Sequence, residues 1–347
     1  MSNTLQEAMP RRRFASATAP FASLGHLTGR CLKALILVSC AVVMSAACSS
    51  VANTVANQST DTYALKMENP VSPSIAASKT QYAVIDDRNI AYRMMGKGSP
   101  IVLINRFRGT LDTWDPLFLE LLAQSHTVIT LDYPGIGYSE GTLPTDAKEV
   151  AAEVAKLAEH LQLEKYDVLG WSYGGMIAQY VAFLYPERVG KAVLIGTNPP
   201  GKNAVPFEPI FVQTAFKPEY DLNDYTVLFF EPDSAKSKRA AKSSMERTWP
   251  GVDQTKVPKA QELLQRYVAG LKGIAIDEMN FRSQFASTDV PMLAISGDHD
   301  ISFSVDNWYP LIRNAPTLQL ISMPDAGHAP HFQYPELSVS YISIFLK

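Results

Sequence analysis

Short apolar runs alternating with amphipathic ones constrain this chain more than any other feature of its sequence. Ile101 to Ile104, His126 to Leu131, Lys165 to Leu169 and Ala192 to Ile195 read as buried strands. Between them, Trp114 to Ala123, Ala147 to Leu161 and Gly175 to Leu184 carry apolar residues at helical spacing. Strands that are apolar on both faces and joined by helices form a parallel sheet covered on both sides. Tyr82 to Ile85 and Ile90 to Met95 flank the turn Asp86-Asp87-Arg88-Asn89 and predict an opening hairpin. The alternation stops at Asn198 and resumes with Met292 to Ser296, a helix over Val305 to Ile312, the strand Leu318 to Ser322 and a closing helix from Glu336 to Phe345. The expectation is therefore an α/β fold with a mostly parallel sheet of about eight strands. The interruption at about 198–288 is an inserted helical cap, rich in Pro, Phe, Tyr and Lys.

Charge is unevenly placed along the chain. Residues 1–47 hold Arg11, Arg12, Arg13, Arg30 and Lys33 against Glu7, a net +4, so a chain of −3 leaves −7 for the remainder. Neither a basic excess nor a repeat points to nucleic acid, and no cluster has metal-ligand spacing, so no cofactor, metal or nucleic-acid partner is expected. The basic start is followed by the apolar run Ala34 to Ala47, which is too short for a membrane span of about 20 residues and has the form of an export signal. It ends in Ser45-Ala46-Ala47-Cys48, which resembles the lipobox of bacterial lipoproteins, with Ser45 where leucine is usual. That resemblance implies acylation of Cys48, attachment to the membrane by a lipid anchor, and a location at the periplasmic side of the cell envelope. Cys31, Cys40 and Cys48 are the only cysteines, so the region beyond the signal has none to pair. Residues 48–78 read as a flexible tether to a domain over 79–347.

The strand Lys165 to Leu169 runs into Gly170-Trp171-Ser172-Tyr173-Gly174 and then a helix. A serine between glycines on a strand-to-helix turn is pushed into the open at a helix N-terminus, where developing negative charge is favoured. A serine needs a base, and the base needs an orienting acid. Of six histidines, His26 lies in the signal, His126 opens a strand and His160 sits on a helix. His328 follows the last strand in Asp325-Ala326-Gly327-His328-Ala329-Pro330, at the sheet edge where ligands collect in open α/β folds. His331 competes with it but lacks the preceding glycine. Ser296-Gly297-Asp298-His299-Asp300 offers two aspartates on the loop after the preceding strand.

The order serine, aspartate, histidine resembles the α/β-hydrolase superfamily, and the likeness spans Gln81 to Lys347. Leu131-Asp132-Tyr133-Pro134-Gly135-Ile136-Gly137-Tyr138-Ser139 looks like that family's D-x-P-G-x-G-x-S loop, and Gly327-His328 with Pro335-Glu336 looks like its histidine loop. The resemblance implies an α/β-hydrolase fold and a catalytic set of Ser172, His328 and Asp300, with Asp298 as the competing acid. It further implies an oxyanion hole made by the N–H groups of Tyr173 and Phe107. Where most of the family has His-Gly, this chain has Asn105-Arg106, so Arg106 is expected at the substrate, favouring a negative group near the scissile carbonyl. The implied activity is hydrolysis of a small ester, lactone or thioester through an acyl-enzyme, with cofactor-free haloperoxidase or perhydrolase chemistry and a non-catalytic binding role as alternatives.

Overall fold

The computed structural model describes residues 78–347; Cys48, the signal segment and all but the last residue of the tether lie outside them. Eight strands form one sheet: β1 (Gln81–Ile85), β2 (Arg88–Met95), β3 (Ser99–Ile104), β4 (His126–Leu131), β5 (Tyr166–Trp171), β6 (Val189–Ile195), β7 (Met292–Gly297) and β8 (Leu318–Met323). Their spatial order is β1-β2-β4-β3-β5-β6-β7-β8. β1 pairs antiparallel with β2 and β2 with β4, and every other pairing is parallel. The expected α/β fold with a mostly parallel sheet is observed. The opening turn is tighter than the sequence suggested: Asp86 and Asp87 alone make it, both at positive φ (47° and 60°), so β2 begins at Arg88. Two left-handed residues match the twist of the strands they join.

The two faces of the sheet follow from the two-residue period of a strand. Ile101 and Leu103 face one apolar layer, and Val102 and Ile104 the other. On the second layer lie α2 (Ala147–His160), through Val150, Val154 and Leu157, and α3 (Tyr173–Leu184), through Ile177 and Val181. Against the first lie α1 (Pro116–Ala123), through Phe118 and Leu122, and, at the chain end, α11 (Pro335–Leu346), through Val339 and Ile342. Asp115 caps α1 by accepting from Leu117 N, and Pro116 takes the first helical position, where no N–H is needed.

Between β6 and β7 the chain forms α4 (Pro209–Ala215), α5 (Leu222–Phe229), α6 (Ala235–Thr248), α7 (Gln261–Ile276) and α8 (Phe281–Gln284) and no strand, as expected of a helical cap. The single helix expected over Val305 to Ile312 is instead a 3₁₀ turn at Val305–Asn307 followed by the short α9 (Tyr309–Ile312). Trp308 at the join is fully buried and donates Nε1–H to Thr197 O at 2.7 Å, which fixes the break. A short α10 (Pro330–Gln333) precedes α11. Among the described residues no helix is long and apolar enough to cross a membrane.

Candidate active site

The turn between β5 and α3 holds Ser172 at φ 62°, ψ −122°, a backbone conformation that costs a non-glycine residue about 1–3 kcal/mol. Its surroundings enforce it. Ser172 N–H donates to Ile195 O at 2.9 Å, and Ser172 O accepts from Gly175 N and Met176 N at 2.9 and 3.2 Å. A Cβ on Gly170 would run into the carbonyl of Gly174, and one on Gly174 into that of Ile104, so both glycines are required by close approach. Tyr173 is the first residue of α3, where a helix leaves its N–H without an intrahelical partner.

His328 and Asp300 meet at 2.8 Å through Nδ1 and Oδ2, both buried. Burial pushes the Asp300 carboxyl up, but His328, the Ser302 hydroxyl and the Phe303 N–H together outweigh it and hold the acid below its ordinary value. An ionised carboxylate only accepts, so the shared proton sits on Nδ1 and the Nε2 lone pair of His328 is left free. Ser302 was not singled out in the sequence. Its hydroxyl donates to Asp300 Oδ1 at 2.6 Å and lies 3.0 Å from His328 Nδ1, and its N–H donates to the same carboxylate at 2.8 Å. Its place two residues after Asp300 is the spacing of a local side-chain turn, which is the one signal the sequence offered. Trp171 ties this pair to the serine, since the residue just before Ser172 donates Nε1–H to His328 O at 2.9 Å.

The competing residues stand apart. Asp298 bonds His299 Nδ1 at 2.6 Å and accepts from Ala326 N at 3.2 Å, which holds the two loops together without touching His328. His331 is fully buried behind the serine strand, 4.7 Å from the Trp171 ring and 5.0 Å from that of Phe118, with neither ring nitrogen bonded. His126 is buried at the start of β4 and His160 is exposed near the end of α2.

After β3 the loop Arg106-Phe107-Arg108-Gly109 closes a turn by Gly109 N–H to Arg106 O at 2.9 Å, with Arg108 at φ 58°. Asn105 anchors it, donating Nδ2–H to Leu131 O and accepting from the Tyr133 hydroxyl, each at 2.7 Å. Asp132, in the loop after β4, braces it further by accepting from Leu111 N and Tyr138 N at 2.8 and 2.9 Å. Successive residues of the turn face opposite sides. Phe107 lines the cavity that contains Ser172 and Tyr173, whereas Arg106, expected at the substrate, lines a separate small cavity beneath the cap. Its guanidinium stands 5.2 Å from the Trp171 ring and 4.7 Å from the Phe229 ring, and bonds Phe107 O at 2.7 Å. Arg108 is buried and donates to Ala215 O, Lys217 O, Pro218 O and the Tyr220 hydroxyl of the cap.

The cavity over Ser172 has a volume of about 650 Å³. Its walls are apolar, chiefly Phe107, Met176, Phe207, Phe211, Phe216 and Phe303, and its charged residues are Lys202 and Lys272, both exposed. That volume and lining suit a small organic ligand. Among the described residues no group of three or more His, Cys, Asp and Glu could hold a metal ion.

With this geometry in view, a family model described as the alpha/beta hydrolase fold matches residues 99–335. The chain belongs to that family. The hydrolase is similar to the pimeloyl-[acyl-carrier protein] methyl ester esterase of Vibrio parahaemolyticus, with 27% identity over 70% of this chain and 92% of the relative. It is also similar to a putative non-heme chloroperoxidase of Synechocystis, with 27% identity over 66% of this chain and 82% of the relative. Among solved structures, an alpha/beta hydrolase fold protein from Chitinophaga pinensis shares 26% identity at a TM-score of 0.70, over 79% of this hydrolase and 99% of that protein. This is an α/β-hydrolase enzyme.

Proposed function

We propose that the hydrolase cleaves a small carboxylic ester, lactone or thioester with an apolar acyl group, by way of an acyl-enzyme on Ser172. The observation that carries this reading is the buried Asp300–His328 pair, bonded through Trp171 to the turn that presents Ser172 to an apolar cavity. His328 takes the proton of Ser172 through Nε2 as Oγ attacks the carbonyl carbon, and returns it to the leaving group. Asp300 holds the imidazole in the required tautomer and stabilises its charged form. The N–H groups of Tyr173 and Phe107 receive the oxyanion, and water then repeats the sequence on the acyl-enzyme. The aromatic walls favour acyl chains of modest length over bulky polar ones.

The experiment is a panel of p-nitrophenyl esters of graded acyl length, with lactones beside them, read against labelling of Ser172 by a fluorophosphonate. Ser172→Ala is expected to abolish labelling and to lower kcat by about 10⁴-fold or more. Undiminished labelling or turnover in that variant removes Ser172 as the nucleophile. The likeness to a putative non-heme chloroperoxidase motivates one further arm, in which peroxide is added and peracid or halogenated product sought.

A further inference from the structure

We propose that the small cavity between the β3 loop and the cap is a halide-binding site. Its volume is about 30 Å³, against roughly 10–15 Å³ needed for one water-sized occupant, so it admits a monoatomic anion and excludes a large one. Arg106 and Arg108 line it from the loop and Thr248 from the end of α6, with Phe229 and Trp249 as apolar wall. Arg108 and Thr248 are 1% and 4% exposed. The Nε–H of each arginine and the hydroxyl of Thr248 are buried and without a hydrogen-bond partner. Orphaned buried donors are costly, and three of them around one cavity mark a place for an acceptor.

The charges around the cavity select an anion. Of the other charged residues lining it, Lys259 pairs with Glu219 at 3.0 Å, so those two neutralise each other. The carboxylates nearest the loop in sequence are engaged elsewhere, Asp112 by Arg93 at 2.7 Å and Asp115 by Arg247 at 2.6 Å. Arg106 and Arg108 therefore bring two guanidiniums into a site of low polarity with no carboxylate bonded to either, and burial depresses the Arg106 pKa accordingly. A halide accepts from all three donors at once and supplies the missing counter-charge, whereas a water molecule there must also find acceptors for its own two hydrogens. Because Arg106 and Arg108 flank Phe107, the ion would also hold the loop that carries this residue's N–H.

The test needs no substrate. Crystals of the protein soaked in sodium bromide are expected to show an anomalous peak in contact with Arg106 and Arg108; its absence at full bromide exchange overturns the proposal. In solution, Tm is read in sodium chloride, sodium acetate and sodium gluconate at one ionic strength, for wild type and for Thr248→Val and Arg106→Met. Subtracting a variant from wild type in the same salt cancels general salt effects. Chloride is expected to raise the wild-type Tm relative to the variants by about 3 °C more than gluconate does. An equal difference in chloride and gluconate overturns the proposal, and an equal gain in acetate replaces the halide by a carboxylate. If Arg106→Met does not fold, Thr248→Val and the bromide peak decide.

Discussion

Asp298 and Asp300 lie on one loop two residues apart and differ in what surrounds them. Asp300 is buried, accepts from Ser302 twice and from Phe303 N, and keeps its second oxygen for His328; Asp298 is exposed and spends its carboxylate on His299 and the Ala326 N–H. Residue types and chain order left both candidates open, the family resemblance favoured Asp300, and in three dimensions His328 bonds Asp300 alone of the two. Asp300→Asn is accordingly expected to lower kcat by about 10³–10⁴-fold, because the amide can donate to Nδ1 and so favours the wrong tautomer. Asp298→Asn is expected to stay within about threefold of wild type, since an amide oxygen can still accept from Ala326 N and no bond to His328 is lost. Steady-state kcat on the best ester decides, and the reverse ranking would move the acid to Asp298. Ser172 and His328 were picked out by the glycines beside them, although two of those glycines answer to distant carbonyls, Gly174 to that of Ile104 and Gly327 to that of Phe230. Arg106, expected at the substrate, was not legible in this way, because nothing in the sequence announces a turn that sends Arg106 and Phe107 to separate cavities.

The helical cap was legible as an interruption of the strand pattern, but which of its aromatics face the ligand was not. Phe207, Phe211 and Phe216 line the cavity over Ser172, while Tyr225, Phe229 and Phe230 pack on one another and Trp249. Both sets are aromatic, the first on and beside α4 and the second on and beside α5, and composition alone does not tell them apart. One tie between the body and the segment at the end of α4 is Arg108, whose fork reaches three carbonyls and a hydroxyl within residues 215–220. A buried arginine with these four bonds contributes about 3 kcal/mol or more, and it offsets the strain of φ 58° at its own position. Arg108→Met should therefore lower Tm by about 6 °C or more and raise KM for the longer esters through loss of the wall that Phe211 and Phe216 form. Arg108→Gly, which relieves the backbone strain but not the lost bonds, should fall between. A Tm unchanged in Arg108→Met would mean that the cap is held by other contacts, the Arg247–Asp115 pair, half-buried at its arginine, among them.

Over the whole molecule, two buried ionisable groups pull the pH dependence of stability in opposite directions. Burial, and then the neighbouring His328, holds the His331 pKa well below its ordinary value, so the folded protein keeps this ring neutral where the unfolded chain takes up a proton below about pH 6.5. Its contribution to stability is lost as pH falls, at up to about 1.4 kcal/mol per pH unit. Asp132 runs the other way: burial raises it to about 7 despite hydrogen bonds from the Tyr138 and Leu111 N–H groups. The folded protein then holds a proton that the unfolded chain releases above about pH 4, so this contribution is lost as pH rises toward 7. The two slopes overlap between about pH 4 and 6.5 and flatten the profile of the whole protein. A single variant separates them. His331→Leu fills the space among Trp114, Phe118, Trp171 and Phe332 with a group that cannot titrate, and avoids the cavity that alanine would leave. Urea unfolding at pH 7, 6 and 5 should find the variant close to wild type at pH 7 and increasingly more stable below, by about 1.4 kcal/mol for each pH unit under 6.5. Parallel profiles would show that His331 takes up its proton in the folded state as readily as in the unfolded chain, and that its ring is not sealed in the apolar layer behind Ser172.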